Sequence, residues 1–117
     1  LRLYKVIDVA CYPSLYEPFG IVALEAMAAG VPVVVSDAGG LKEIIEHDVT
    51  GNVTYSGNLD SLTWGLVRAL KEEGHSRWMT QNAAHKVREQ FNWSCIATQT
   101  HGVYERVWQE FQNTDWS

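Results

Sequence analysis

Two carboxylates with seven residues between them, Glu17 and Glu25, are the side chains of this sequence best suited to chemistry. They lie in the stretch Pro13-Ser14-Leu15-Tyr16-Glu17-Pro18-Phe19-Gly20-Ile21-Val22-Ala23-Leu24-Glu25-Ala26-Met27. A carboxylate offers acceptor oxygens and no donors, which suits the two adjacent hydroxyls of a vicinal diol such as a ribose. Glu25 is the only ionisable residue between Gly20 and Val35, so its charge must be solvated or paired. Two readings stand: a glutamate on the exposed side of an otherwise buried helix, or the acceptor of a ligand diol. Glu17, before Pro18, reads by itself as a solvated turn residue. Gly20 sits where a helix would start, which lets the backbone approach a ligand while the free N–H groups of the first turn favour an anion.

The elements that would hold these residues follow from periodicity. Residues 9–12, ended by Pro13-Ser14, read as a buried strand, and residues 20–29 as a helix closed by Gly30. The β-branched run 33–36 has the pattern of a parallel strand covered on both faces. After Gly39-Gly40, read as a tight strand-to-helix turn, residues 41–47 form a short helix with Leu41, Ile44 and Ile45 on one face. His47 near its end is a favourable partner for the helix dipole. Residues 52–55 make a third strand. The second half is helical: one helix is capped by Asp60 or Ser61 and ended by Gly74, and a second spans 76–89 with Met79, Ala83 and Val87 inward. A last helix, capped by Ser94, carries Ile96, Val103, Tyr104, Val107, Trp108 and Phe111 at helical spacing. Alternating strands and helices followed by helices predict an α/β, Rossmann-like arrangement of about three parallel strands with flanking helices and a helical C-terminal half. In open α/β sheets ligands bind at the C-terminal ends of the strands, where Glu17 would lie.

The composition narrows the function. With 117 residues, 46% hydrophobic and a net charge of −5, the chain is long enough for a core and lacks the basic footprint of a nucleic-acid-binding domain. No run approaches a membrane span of about 18 apolar residues. Cys11 and Cys95 make no disulfide framework, so the expected location is a reducing, cytoplasmic one, with a membrane-peripheral parent protein compatible. His47, His75, His85 and His101 lack metal-ligand spacing, and no metal or cofactor is expected. Asn52-Val53-Thr54 and Asn92-Trp93-Ser94 match the glycosylation sequon, which is idle in a cytosolic chain. Trp64, Trp78, Trp93, Trp108 and Trp116 read as core and helix packing rather than a sugar platform. The start at Leu1, without Met, suggests a piece of something longer.

The pattern Pro-Ser-x-x-Glu-Pro-Phe-Gly-x-x-x-Leu-Glu-Ala-Met-Ala-x-Gly-x-Pro-Val-Val resembles the donor-binding motif of retaining GT-B glycosyltransferases. The similarity is to the "glycosyl transferases group 1" family, family four of these enzymes. It continues through Gly39-Gly40-Leu41-Lys42-Glu43-Ile44-Ile45, Asp48-x-Thr50-Gly51 and Phe91-x-Trp93. The resemblance implies that residues 1–117 are the later part of a C-terminal nucleotide-sugar-binding domain. It assigns Glu17 a catalytic position beside the donor sugar, and Phe19, Gly20 and Ile21 backbone N–H groups facing the sugar or diphosphate. Glu25 would hold the ribose, with Gly39 and Gly40 bordering the crevice. The donor would be a UDP-, GDP- or ADP-linked sugar and the acceptor a sugar or glycolipid bound by an absent N-terminal domain, which Tyr104 and Trp108 would contact.

The family's upstream Arg and Lys, which meet the donor phosphates, have no match here, because Arg2 and Lys5 stand too close to Glu17. The fragment alone is therefore expected to be inactive. The strand at 9–12 is expected to keep an unpaired edge through which the chain self-associates. The alternative is a non-catalytic nucleotide or sugar-phosphate binding module.

Overall fold

The β-branched run forms the middle strand, β2 (Val33–Ser36), in the computed structural model, which describes residues 2–114. All four of its residues are buried, as a strand covered on both faces requires. Beside it lie β1 (Ala10–Tyr12) and β3 (Asn52–Thr54), both parallel to it, in the order β1-β2-β3. The register sets Cys11 against Val34 and Val34 against Asn52. Among the described residues β2 is the only neighbour of β1, so the far edge of β1 is unpaired, as expected.

Side chains alternate across a strand, so the two faces of the sheet carry different residues. Ala10, Val33 and Val35 join a core with Ala23, Ala26 and Met27 of α1 (Ile21–Ala28) and Leu41 and Ile44 of α2 (Gly39–Ile44). Ala83 of α4 (Glu73–Gln90) completes it. Val34 and Thr54 face the other way, toward α3 (Leu59–Lys71). That helix reaches the sheet through Gly65, where an added Cβ would meet Thr54 Cγ2 at 2.7 Å and Val34 Cγ1 at 3.0 Å. The result is the α/β architecture with helices on both faces that the sequence pattern predicts.

The helix boundaries in the second half differ from those expected. Asn58, not Asp60 or Ser61, caps α3: its Oδ1 accepts the Ser61 N–H at 2.8 Å. Gly74 does not end that helix. α3 stops at Lys71, and Gly74 lies in the first turn of α4, with Glu72 as the single break residue. The physical reason is the Ser76 hydroxyl, which donates to the Ala69 carbonyl at 2.8 Å and satisfies an end of α3 from within α4. Asn92, not Ser94, caps α5 (Trp93–Asn113), accepting the Cys95 N–H at 2.8 Å. At α2 the helix begins at Gly39 and ends at Ile44, so Gly39 and Gly40 form its first turn rather than a preceding one. His47 lies beyond its C-cap, Ile45, outside the helix. Its Nδ1 accepts the Val53 N–H at 3.0 Å on the outer edge of β3.

The tryptophans are not core. Trp64 and Trp78 are about half exposed, Trp108 more so, and Trp93 is 85% exposed. Trp116 lies outside the described residues. The small residues Gly65 and Ala69 occupy the contact side of α3, which turns Trp64 outward. α5 has no buried residue and stands away from the rest. Its projection gives a radius of gyration of 17.6 Å, against about 13 Å for a compact chain of roughly 100 residues.

Candidate functional site

The loop between β1 and α1, at the C-terminal end of the sheet, carries Glu17, Phe19 and Gly20. Pro13 and Ser14 start it, and the ends of the neighbouring strands hold it there. The Ser36 hydroxyl donates to the Ser14 carbonyl at 2.6 Å, and the Ser56 hydroxyl reaches the same oxygen at 3.3 Å. Ser56 is itself fixed, its N–H donating to Asp37 Oδ1 at 2.8 Å, while the Asp37 N–H donates to the Thr54 carbonyl at 2.9 Å. Of these, Ser14 belongs to the Pro-Ser start of the sequence motif, whereas Asp37 and Ser56 lie outside every motif. The available signal at Ser36 is a hydroxyl closing an otherwise apolar buried strand.

Farther along, the loop lies on the first turn of α2. The Gly40 N–H donates to the Glu17 carbonyl at 3.0 Å. A Cβ at Gly39 would run into the Glu17 carbonyl, and one at Gly40 into the Phe19 carbonyl. The glycine pair therefore meets the carboxylate loop backbone to backbone. Gly20 closes the same contact from the other side. It adopts φ +100°, a left-handed conformation open to glycine, and a Cβ there would meet Leu41 Cδ2 at 2.9 Å. As N-cap of α1, Gly20 accepts the Ala23 N–H at 3.0 Å through its carbonyl.

Glu17 is half-buried, and among the described residues its carboxylate has no hydrogen-bond or ion-pair partner. Phe19 and Ile21 are more than half exposed. Glu25 stands one turn beyond Ile21, on the outward side of α1, while Ala23, Ala26 and Met27 take the inward side. Its placement matches the exposed-helix reading, and it has one partner. The Tyr4 hydroxyl lies 3.4 Å from Glu25 Oε2, 3.4 Å from the Val22 carbonyl and 3.1 Å from the Tyr12 hydroxyl. Burial, then the neighbouring Tyr4 and Glu25, push the Tyr12 phenol above its ordinary range. Burial likewise raises the Cys11 thiol.

A cleft of about 590 Å³ near the end of β3 is lined by Asp37, His47, Tyr55, Asn58 and Trp64 among others, and by neither Glu17 nor Glu25. The two carboxylates lie outside this cleft, Glu17 on the loop after β1 and Glu25 on α1. A second polar cluster lies where the turn before β3 meets α3 and α4. Asp48, at φ +65°, receives Arg68 Nη2 at 2.6 Å and His75 Nε2 at 2.7 Å, and Arg68 also meets Glu72 at 3.0 Å. The hydrogen bond from His75, with Arg68 beside it, holds the Asp48 carboxyl below the usual range against the opposing effect of burial. Neither sequon asparagine is presented: Asn52 is fully buried with its amide donating to the Gly65 carbonyl, and Asn92 is the cap of α5. Among the described residues no helix is long and apolar enough to cross a membrane.

Comparison with known proteins places this arrangement. The family model described as "Glycosyl transferases group 1" matches residues 1–86. An uncharacterized glycosyltransferase of Methanocaldococcus jannaschii is 53% identical over 104 residues, covering 89% of this chain and 27% of that protein. Among solved structures, sucrose-phosphate synthase from Thermosynechococcus elongatus superposes with a TM-score of 0.82 at 34% identity, over 92% of this chain and 27% of that one. Anabaena HepE in complex with UDP gives 0.84 at 29% identity, over 90% and 29%. The chain spans about a quarter of the length of the curated relatives it matches.

Proposed function

The chain belongs to the glycosyl transferases group 1 family, and from that premise we propose that it carries the donor half-site of a retaining glycosyltransferase that uses a nucleotide-diphosphate sugar. Its fold is that of part of a GT-B enzyme. The observation that carries the proposal is the joint made by Glu17, Phe19 and Gly20 with Gly39 and Gly40, which packs the carboxylate loop and the start of α1 against the first turn of α2. Glu17, whose carboxylate has no partner among the described residues, acts beside the donor sugar. The N–H groups of Phe19, Gly20 and Ile21 face the sugar or diphosphate, where a helix N-terminus favours negative charge. Glu25, on the outward side of α1, accepts the ribose hydroxyls. A UDP-, GDP- or ADP-linked sugar fits this set, and the UDP bound to the similar HepE structure supports the nucleotide class. The acceptor, a sugar or glycolipid, binds a facing N-terminal domain, and the protein works in the cytoplasm without a metal.

Transfer needs cationic groups on the departing diphosphate. The 117 residues supply no equivalent of the family's Arg and Lys, and two charged hydrogen bonds are together worth about 3–6 kcal/mol. By itself the chain does not transfer sugar. The test is Glu17→Gln and Glu25→Gln in the full-length protein. Glu17→Gln abolishes transfer while donor binding survives, and Glu25→Gln weakens donor binding. Transfer and binding unchanged in both variants would overturn the proposal, as would a loss of binding alone in a protein that never transfers sugar.

A further inference from the structure

We propose that Tyr4 is a positioning residue for the nucleotide ribose, its hydroxyl fixing the Glu25 carboxylate through a relay anchored on β1 at Tyr12. The inference rests on the assignment of Glu25 to the ribose. Glu25 projects from the outward side of α1, where a glutamate side chain otherwise samples several rotamers, and a diol acceptor must hold both oxygens in one orientation. Among the described residues Tyr4 is the side chain that reaches it, its hydroxyl at the outer limit of hydrogen-bond distance. Its ring is half-buried against the core formed by β1 and α1, so the hydroxyl is delivered by a packed side chain. That hydroxyl sits 3.1 Å from the Tyr12 hydroxyl and 3.4 Å from Glu25 Oε2, with the Val22 carbonyl of the same helix also at 3.4 Å.

A phenol donates one proton and accepts others. With Tyr12 donating to the Tyr4 oxygen, the Tyr4 proton turns to Glu25 and Val22, and both acceptors lie on α1 one turn apart. The relay therefore ties the orientation of the carboxylate to strand β1 and leaves Oε1 of Glu25 outside these contacts.

The test uses the full-length protein and UDP, GDP and ADP, each paired with its 2′,3′-dideoxy form, with affinities measured by calorimetry on the nucleotide that binds tightest. Tyr4→Phe keeps the ring and removes the hydroxyl. The expected result is a ribonucleotide bound about two- to tenfold more weakly, the dideoxy form bound as before, and an unchanged melting temperature. Glu25→Ala is expected to erase the preference for the ribose diol. A Tyr4→Phe variant that leaves the preference intact, or weakens both nucleotides equally, overturns the positioning role while the Glu25 assignment stands. A Glu25→Ala variant that keeps the preference, or no binding of any of the three nucleotides, overturns both. If Tyr4→Phe loses cooperative unfolding, Tyr12→Phe breaks the relay one group earlier and is judged by the same preference.

Discussion

The Gly40 N–H donates to the Glu17 carbonyl at 3.0 Å, so the loop that follows β1 is hydrogen-bonded to the helix that follows β2. This bond joins two successive strand–helix units at the end of the sheet where the carboxylate lies. The contact is backbone on backbone, which makes it intolerant of added volume. The carboxylate of Glu17 takes no part in it.

Gly40→Ala tests that joint. Its Cβ would collide with the Phe19 carbonyl, and neither backbone can yield without moving a helix or the loop. The expected cost is about 1–3 kcal/mol in denaturant unfolding, the usual penalty for overpacking, together with loss of nucleotide binding. Gly102→Ala is the control. Nothing lies within 4 Å of its added Cβ on α5, so it leaves stability unchanged or raises it by about 1 kcal/mol through helix propensity.

The Asp48 cluster gives the fold an acid-sensitive contribution. The carboxyl is held below its unfolded value by His75 and Arg68, so folding is favoured wherever the carboxylate is charged. That contribution is complete above the unfolded value of about 3.9 and disappears as pH falls through the lower folded one. Because the Asp48 side chain is 49% exposed, solvent limits the gain to about 1 kcal/mol or less. Asp48→Asn tolerates the same left-handed φ and removes the charge. Its unfolding free energy should fall below that of the parent protein at pH 5 to 7, with the gap closing below roughly pH 4.

His47 guards the outer edge of β3. Its Nδ1 accepts the Val53 N–H, a donor that an edge strand otherwise leaves to water or to another chain. His47→Leu should accelerate amide hydrogen exchange at Val53 and cost about 0.5–1.5 kcal/mol. His47→Gln, which keeps an acceptor, should restore part of the protection. Equal exchange rates at Val53 in all three proteins would remove this role from His47.

The isolated chain should self-associate. β1 offers an unpaired edge among the described residues, and α5 exposes Tyr104, Val107, Trp108 and Phe111 around an apolar cleft of about 360 Å³. Light scattering over a concentration series should show mass rising above that of the monomer. Trp108→Glu should reduce the rise if α5 carries the contact and leave it intact if β1 does. A strictly monomeric protein at high concentration would refute the expectation.

Much of the scaffold was legible in the sequence. The β-branched run Val33 to Ser36 carries the pattern of a doubly covered strand, and the spacing of Met79, Ala83 and Val87 marks the inward side of α4. These are local facts, set by β-branching and helical period, and they survive whatever packs against them. Helix ends were less legible because several residues compete to cap. Asn58 wins over Asp60 and Ser61 once Ser61 Oγ is engaged by the Tyr55 N–H at 2.9 Å, and Ser76 settles the end of α3 from the next helix. The exposure of Trp64, Trp78, Trp93 and Trp108 is not legible in the sequence, because hydrophobicity does not say which side of a helix the sheet will meet. Gly65 and Ala69 answer that by allowing close approach.

For the site, sequence alone determined the two carboxylates, the glycine at the head of α1 and the family to which their spacing belongs, because residue type and spacing are written in the chain. Only the tertiary structure decided what surrounds them. It brought Gly39 and Gly40 against the carbonyls of Glu17 and Phe19, and it placed the Tyr4 hydroxyl beside Glu25. Such contacts depend on how separate strand–helix units pack across the sheet. No local pattern of torsion or hydrophobicity encodes a clash or a hydrogen bond between segments that meet only after folding.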